Sequence, residues 1–236
     1  MYSFESRVRY SETDTNAQLS VTGLMNYLQD CSIFQSEDIG VGLSYLEREK
    51  KAWLLSSWQI QVLRRPDIGE RIKIATWPYD FKGIYGMRNF AMYDSEGNYL
   101  VKANSCWFLT STETGKPIRV GEADRAPYGE PEPRIPMEEA PRKIALPEAM
   151  KKVGEVRILR HQLDTNHHVN NAQYVDIACE VLPEGATIRE IRAEYKKAAV
   201  LSDEVSLFCA VQDGVYVISL RSDDGSIYAN VELKTE

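Results

Sequence analysis

The feature that most constrains this chain is an internal repeat. Asp14-Thr15-Asn16 returns as Asp164-Thr165-Asn166, 150 positions later (164 − 14 = 150). Each copy follows a strand-like segment containing arginine, RVRYSETDTN and VRILRHQLDTN, and each leads into a helix-like stretch. In VTGLMNYLQDCSIFQSEDIG, Leu24, Tyr27, Leu28, Cys31 and Phe34 fall at helical spacing; in VNNAQYVDIACEVLP, Tyr174, Ile177, Ala178 and Val181 do the same, and Pro183 closes the helix. Two further markers keep the same order. WQIQVLRRPDIGERIKI matches IREIRAEYKKAAVLSDEVSLF, with the basic pair Arg64-Arg65 opposite Lys196-Lys197. FAMYDSEGNYLVKANSCWF matches VISLRSDDGSIYANVEL, and the acidic-glycine turns Asp94 to Gly97 and Asp223 to Gly225 read as hairpins. Three markers in one order argue for duplication.

Each copy therefore reads as a strand, a long helix and a meander of antiparallel strands, an α+β arrangement in which the helix buries its apolar stripe on a sheet. Between the copies, seven prolines from Pro117 to Pro147 exclude a regular element and predict an extended strap. The boundaries expected are an N-terminal domain over 1–128, a linker over 129–150 and a C-terminal domain over 151–236.

A formal net charge of −7 argues against broad nucleic-acid binding, which needs a basic field. No apolar run approaches the roughly 20 residues of a bilayer span. MYSFESRVRY alternates like a strand and lacks a signal-peptide core. Neither stable membrane association nor export is expected, and a cytoplasmic location is the default. Cys31, Cys106, Cys179 and Cys209 are far apart, with no CxxC pair, and read as reduced apolar side chains.

All three histidines fall in RHQLDTNHHVNN. A zinc site would need convergent ligands at standard spacing, and none is present, so no metal is expected. A strand-to-helix corner built by Asp and Asn accounts for much of the stretch. The repeat separates the readings. Asp14 and Asn16 persist as Asp164 and Asn166, whereas Ala17 and Gln18 stand where His167 and His168 do. The corner therefore does not need histidine, and His168 is a candidate base. An aspartate beside it can orient the ring, and an asparagine can hold water or an oxyanion.

LDTNHHVNNAQYV resembles the D-x-N-x-HVNN-x-x-Y signature of the acyl-acyl-carrier-protein (acyl-ACP) thioesterases. WLLSSWQIQVLRRPDIGERIKIATWP and KANSCWFLTSTETGKPIRV are also family-like. The resemblance implies a tandem double hotdog fold, each half a long helix wrapped by an antiparallel sheet, and hydrolysis of fatty acyl-ACP to free fatty acid. It implies Asp164, Asn166 and His168 as the catalytic set, no cofactor, and acyl carrier protein as partner, with a homodimer left open. Plant members carry a Glu-Cys pair after an E-Y-basic-basic stretch. Here Glu194-Tyr195-Lys196-Lys197 is followed by Ala198 and Ala199, which disfavours a cysteine nucleophile and favours activated water. Glu180 is a candidate substitute carboxylate, with solvated helix surface as its competing role. The family's N-terminal half shapes the acyl tunnel, for which Trp53, Trp58, Met87 and Phe90, with Trp77, are candidates, against ordinary core packing. Arg64-Arg65, Lys196-Lys197, Arg157 and Arg160 are candidates for docking an acidic carrier. An acyl-CoA thioesterase, a hotdog hydratase and a non-catalytic acyl-binding module are the competing readings.

Overall fold

Strand and helix signals alternate along the chain, and the computed structural model, which describes residues 1–236, resolves them into two packed units. Met1–Ser56 and Leu63–Glu139 form one; Ser57–Val62 and Ala140–Glu236 form the other. The first unit contains β1 (Tyr2–Arg7), α1 (Val21–Asp38), α2 (Leu43–Arg48), β2 (Lys51–Val62), β3 (Arg71–Lys82), β4 (Tyr85–Tyr93), β5 (Tyr99–Ser111) and the short α3 (Glu122–Arg125). The last six residues of β2 pack with the second unit. That unit adds β6 (Lys151–Arg157), α4 (Asn171–Cys179), β7 (Ile188–Tyr195), β8 (Glu204–Gln212), β9 (Val215–Arg221) and β10 (Ile227–Thr235).

In the first unit the sheet order is β1-β3-β4-β5-β2, and α1 packs on β1, β3 and β4. Ser20 caps α1 by accepting from the Gly23 N–H at 3.0 Å. Its buried face carries Leu24, Tyr27, Leu28 and Cys31, as the spacing predicts. The stripe then departs from the prediction, for Phe34 is exposed, packing edge-on against Phe4, and Gln35 is buried instead. Gln35 is held inside because its Oε1 accepts from the buried Arg88 guanidinium on β4, which also donates to Thr76 Oγ1 at 3.0 Å. A buried charge needs such partners.

In the second unit Ser57–Gln61 of β2 pairs with β7, and the order continues β7-β10-β9-β8-β6. Here α4 packs on β9 and β10. Asn170 caps it, accepting from the Ala172 N–H at 2.9 Å. This helix is half the length of its counterpart and ends at Cys179, so Val181 lies beyond it rather than on its apolar stripe. The predicted hairpins form, with Gly97 and Gly225 at φ of 84° and 81°. Glycine suits both because the loop requires a left-handed residue there.

Residues 129–150 contain no helix or strand. The sheets supply the hydrogen-bond partners this segment cannot make for itself. In the first unit Ile135 donates its N–H to Asn89 Oδ1 (3.0 Å), and the Trp77 indole donates to the Pro133 carbonyl (2.8 Å). In the second, Ala140 N–H meets Gln59 Oε1 (3.0 Å) and Ile144 N–H meets Glu194 Oε2 (3.2 Å), while Arg192 binds the Pro141 and Lys143 carbonyls.

Candidate active site

Asp164 to His168 is a three-residue hairpin loop. Asp164 N–H donates to the His168 carbonyl at 2.8 Å, His167 N–H returns to the Asp164 carbonyl at 3.1 Å, and Leu163 bridges Val169. Such a loop ends in a left-handed residue, and His167 fills that position at φ 60°. Asp164 Oδ1 accepts from the N–H groups of Asn166 (2.8 Å) and His168 (3.2 Å). The carboxylate therefore grips the main chain of His168 and not its ring, as the short Asx side chain favours. Asn166 and His168 are exposed, and Asp164 is half-buried. The three histidines do not gather with other side chains into a metal-ligating group.

The first unit repeats this corner bond for bond. Asp14 N–H donates to the Gln18 carbonyl at 2.8 Å, Asp14 Oδ1 accepts from Asn16 N–H at 2.8 Å, and Ala17 sits at φ 59°. A 3-10 turn precedes each loop, Tyr10–Glu12 and Arg160–Gln162.

The segment that flanks each corner, just past β2 and β7, corrects the sequence register. Leu19 N–H donates to the Pro66 carbonyl, and Val169 N–H to the Ala199 carbonyl. Leu63 and Arg64 both donate to the Leu100 carbonyl, as Lys196 and Lys197 do to that of Tyr228. Asp67 N–H is held by Glu70 and Val200 N–H by Asp203, each at 3.0 Å. Arg64 therefore corresponds to Lys197 and Arg65 to Ala198, one position away from the pairing of basic residues read from sequence. Like charges had aligned there, while the backbone bonds align something else.

The shift matters because Arg65 Nη1 forms an ion pair with Asp14 Oδ2. Burial works to raise the Asp14 pKa, but the Arg65 hydrogen bond, the Asn16 and Gln18 N–H groups and the guanidinium charge together hold it below the usual carboxylate value. In the second corner Ala198 brings no cation, and no protein donor meets Asp164 Oδ2. A second exchange compensates itself. Pro66 has no N–H to satisfy, and the repeat has Leu24 where the second copy has Tyr174, whereas the counterpart Ala199 donates its buried N–H to Tyr174 Oη at 2.8 Å. Burial pushes the Tyr174 phenol up to about 12; the Ala199 N–H opposes this, and the Asp203 and Asp164 charges add to the rise. The role of Tyr174 was invisible from its helical spacing alone; the proline-to-alanine exchange was the available signal.

The remaining predicted residues divide. Glu180 is exposed at the C-cap of α4. With about 1.5 Å of rise per residue it stands roughly 14 Å along the helix from the corner, so the structure does not bring it to Asp164. Phe90 is fully buried on the β4 face shared with Arg88, which looks toward α1. Met87 projects to the opposite face with Asn89, the face under the linker, because a strand alternates. Trp77 is on that linker face too. Trp53 is half-buried against Phe81, with ring centroids 6.4 Å apart, and Trp58 is buried on the part of β2 that belongs to the second unit. Among the candidate docking cations, Arg64 pairs with Glu70 (2.6 Å), Arg65 with Asp14 and Lys196 with Glu194. Lys197 lies over the Tyr228 ring, while Arg157 and Arg160 are exposed.

Two structures share this architecture over nearly the whole chain. An acyl-ACP thioesterase from Bacteroides thetaiotaomicron superposes with a TM-score of 0.90 at 23% identity, covering 99% of this chain and 97% of its own. The 12:0-ACP thioesterase from Umbellularia californica gives 0.87 at 18%, covering 99% and 97%. The fold is thus the tandem hotdog, a helix and antiparallel sheet used twice. Residues 1–128 match the model of the acyl-ACP thioesterase N-terminal domain and 147–233 that of the C-terminal domain, and the chain belongs to the acyl-ACP thioesterase family. Among curated relatives, the chloroplastic dodecanoyl-[acyl-carrier-protein] hydrolase of Cinnamomum camphora is 25% identical, and the chloroplastic oleoyl-acyl carrier protein thioesterase 1 of Arabidopsis thaliana 24%. These alignments cover 88% and 84% of this chain but 58% and 60% of the relatives, so the chain spans somewhat over half their length.

Proposed function

We propose that this protein hydrolyses fatty acyl-ACP thioesters, releasing free fatty acid and holo carrier protein and so ending chain extension. The observation that carries the reading is the contrast between two corners of identical backbone, of which only the second adds an exposed imidazole and an unpaired aspartate oxygen. A water held there loses a proton to the pair formed by His168 and Asp164 as its oxygen attacks the thioester carbonyl. Asn166 supplies a carboxamide for the water or the oxyanion. When the tetrahedral intermediate collapses, the C–S bond breaks and the pantetheine thiolate takes back the proton. No covalent enzyme intermediate is needed, in keeping with alanine at both 198 and 199.

The acyl tail is read as lying against the first unit, on the β4 face of Phe90. Each buried methylene would contribute about 0.8 kcal/mol, so tail burial dominates affinity for long chains. The carrier is read as docking by its acidic surface on Arg157 and Arg160, two exposed candidate cations engaged by neither a carboxylate nor a ring, and the division of labour follows the expected domains at 1–128 and 151–236.

The test is thiol release from saturated acyl-ACP substrates of graded length, with matched acyl-CoA in parallel. His168→Ala is expected to lower kcat by on the order of 10²–10⁴-fold with an unchanged circular dichroism spectrum, the usual contribution of a general base. Full turnover by this variant would remove His168 from the mechanism, and a preference for CoA would move the protein to the other carrier class.

A further inference from the structure

We infer that position 198 sets which of the two corners can react: arginine at the matching position of the first unit locks its aspartate, and Ala198 leaves Asp164 free. This rests on the reading of Asp164 as part of the catalytic set, and it adds a residue that touches neither substrate nor the reacting atoms.

The argument is a comparison of two sites built by one chain. Both loops hold their aspartate in the same way, with Oδ1 consumed by two backbone N–H groups. Both flanking segments run past the loop in the same register, with matching carbonyl acceptors and matching left-handed residues, Gly69 at φ 78° and Ser202 at φ 71°. The Cβ of residue 198 must therefore leave the backbone in the direction that the Arg65 side chain takes toward Asp14. In the first unit that side chain occupies Oδ2 and reaches as far as the Leu19 carbonyl at 3.5 Å. An aspartate held so has a guanidinium standing on the oxygen that water or imidazole would use, and its charge is neutralised. Ala198 removes the clamp while the segment keeps its place, because Tyr174 Oη fixes the adjoining Ala199 N–H. Lys197 does not replace the lost cation, since its ammonium lies over Tyr228, 5.6 Å from the ring centroid. The second corner thus gives up a stabilising ion pair in order to keep a reactive carboxylate, the usual trade between stability and activity.

Ala198→Arg, made in the full chain, tests this, because the clamp and simple damage move two readouts differently. The introduced guanidinium should raise Tm by about 1–3 °C, the size of a partly exposed ion pair in a chain of this length, while kcat on dodecanoyl-ACP falls at least tenfold. Ala198→Met, of similar length and uncharged, should not raise Tm and should lose less than threefold. Turnover within threefold of the parent in Ala198→Arg, or an equal loss in Ala198→Met, would overturn the proposal. Asp164→Asn keeps the loop's Oδ1 acceptor, removes the charge and turns the free Oδ2 into an NH2 donor. Full turnover by that variant would sink the role of Asp164 itself, and the Tm shift, which needs no turnover, would still decide whether position 198 is a clamp.

Discussion

The three histidines differ most in their backbones. His167 occupies the left-handed place of a loop that the chain builds four times, at 14–18, 94–98, 164–168 and 222–226. The two hairpin copies put glycine there, and the two corners put Ala17 and His167. Non-glycine residues at this φ carry a strain of about 1 kcal/mol, so Ala17→Gly and His167→Gly should each raise Tm by up to about 2–4 °C. His167→Gly should also retain turnover, and the pair His167→Gly and His168→Ala then separates backbone from chemistry by calorimetry and thiol release. Arg65 belongs to the same scale. Because the folded pKa of Asp14 is depressed, the pair stabilises the fold fully above the unfolded value near 3.9 and loses that contribution as pH falls through the lower folded value. Arg65→Met should cost about 1 kcal/mol in urea unfolding at pH 7, and the gap from the parent should shrink below about pH 3. A gap that persists in acid would mean the arginine acts by packing alone.

At the scale of elements, α4 depends on contacts that its sequence does not advertise. It has nine residues, too few for an isolated helix to persist. Its stability comes from the Asn170 cap and from a buried face of Ala172, Tyr174, Val175, Ile177 and Ala178. Tyr174 adds the acceptor for a buried N–H. Tyr174→Phe keeps the ring and orphans that donor, with an expected cost of about 1–3 kcal/mol in chemical denaturation. A loss below half a kcal/mol would show that Ala199 finds another acceptor. Strand β4 shows the converse: its alternation, readable in sequence once the strand is known, already sends Met87 and Phe90 to opposite faces. The two candidates for the acyl tunnel therefore lie on opposite faces of one strand.

At the scale of the whole molecule, the proline-rich segment is tied down without secondary structure of its own, because side chains buried in the sheets meet its backbone. Asn89 is the main anchor in the first unit, with Oδ1 on Ile135 N–H and Nδ2 on the Ala103 carbonyl at 3.2 Å. Asn89→Ala should lower stability by about 2–3 kcal/mol and speed proteolysis near Pro131–Pro136, measured by limited trypsin digestion at Arg134. Glu194 and Gln59 do the same work in the second unit, which gives Glu194 a structural role beside its place in the E-Y-basic-basic stretch. No helix is long and apolar enough to cross a membrane.

The sequence alone determined the duplication, the aspartate loops, the helix starts and the hairpins, because each is a local matter of turn chemistry and spacing that a few neighbouring residues settle. The difference between Gln18 and His168 was legible for the same reason. Only the tertiary structure decided the pairing of Arg65 with Ala198, the burial of Gln35 in place of Phe34, the distance of Glu180 and the face taken by Met87. Each depends on which backbone groups bond across strands or which partner awaits a side chain inside, and such non-local pairings leave no periodic trace in the chain that makes them.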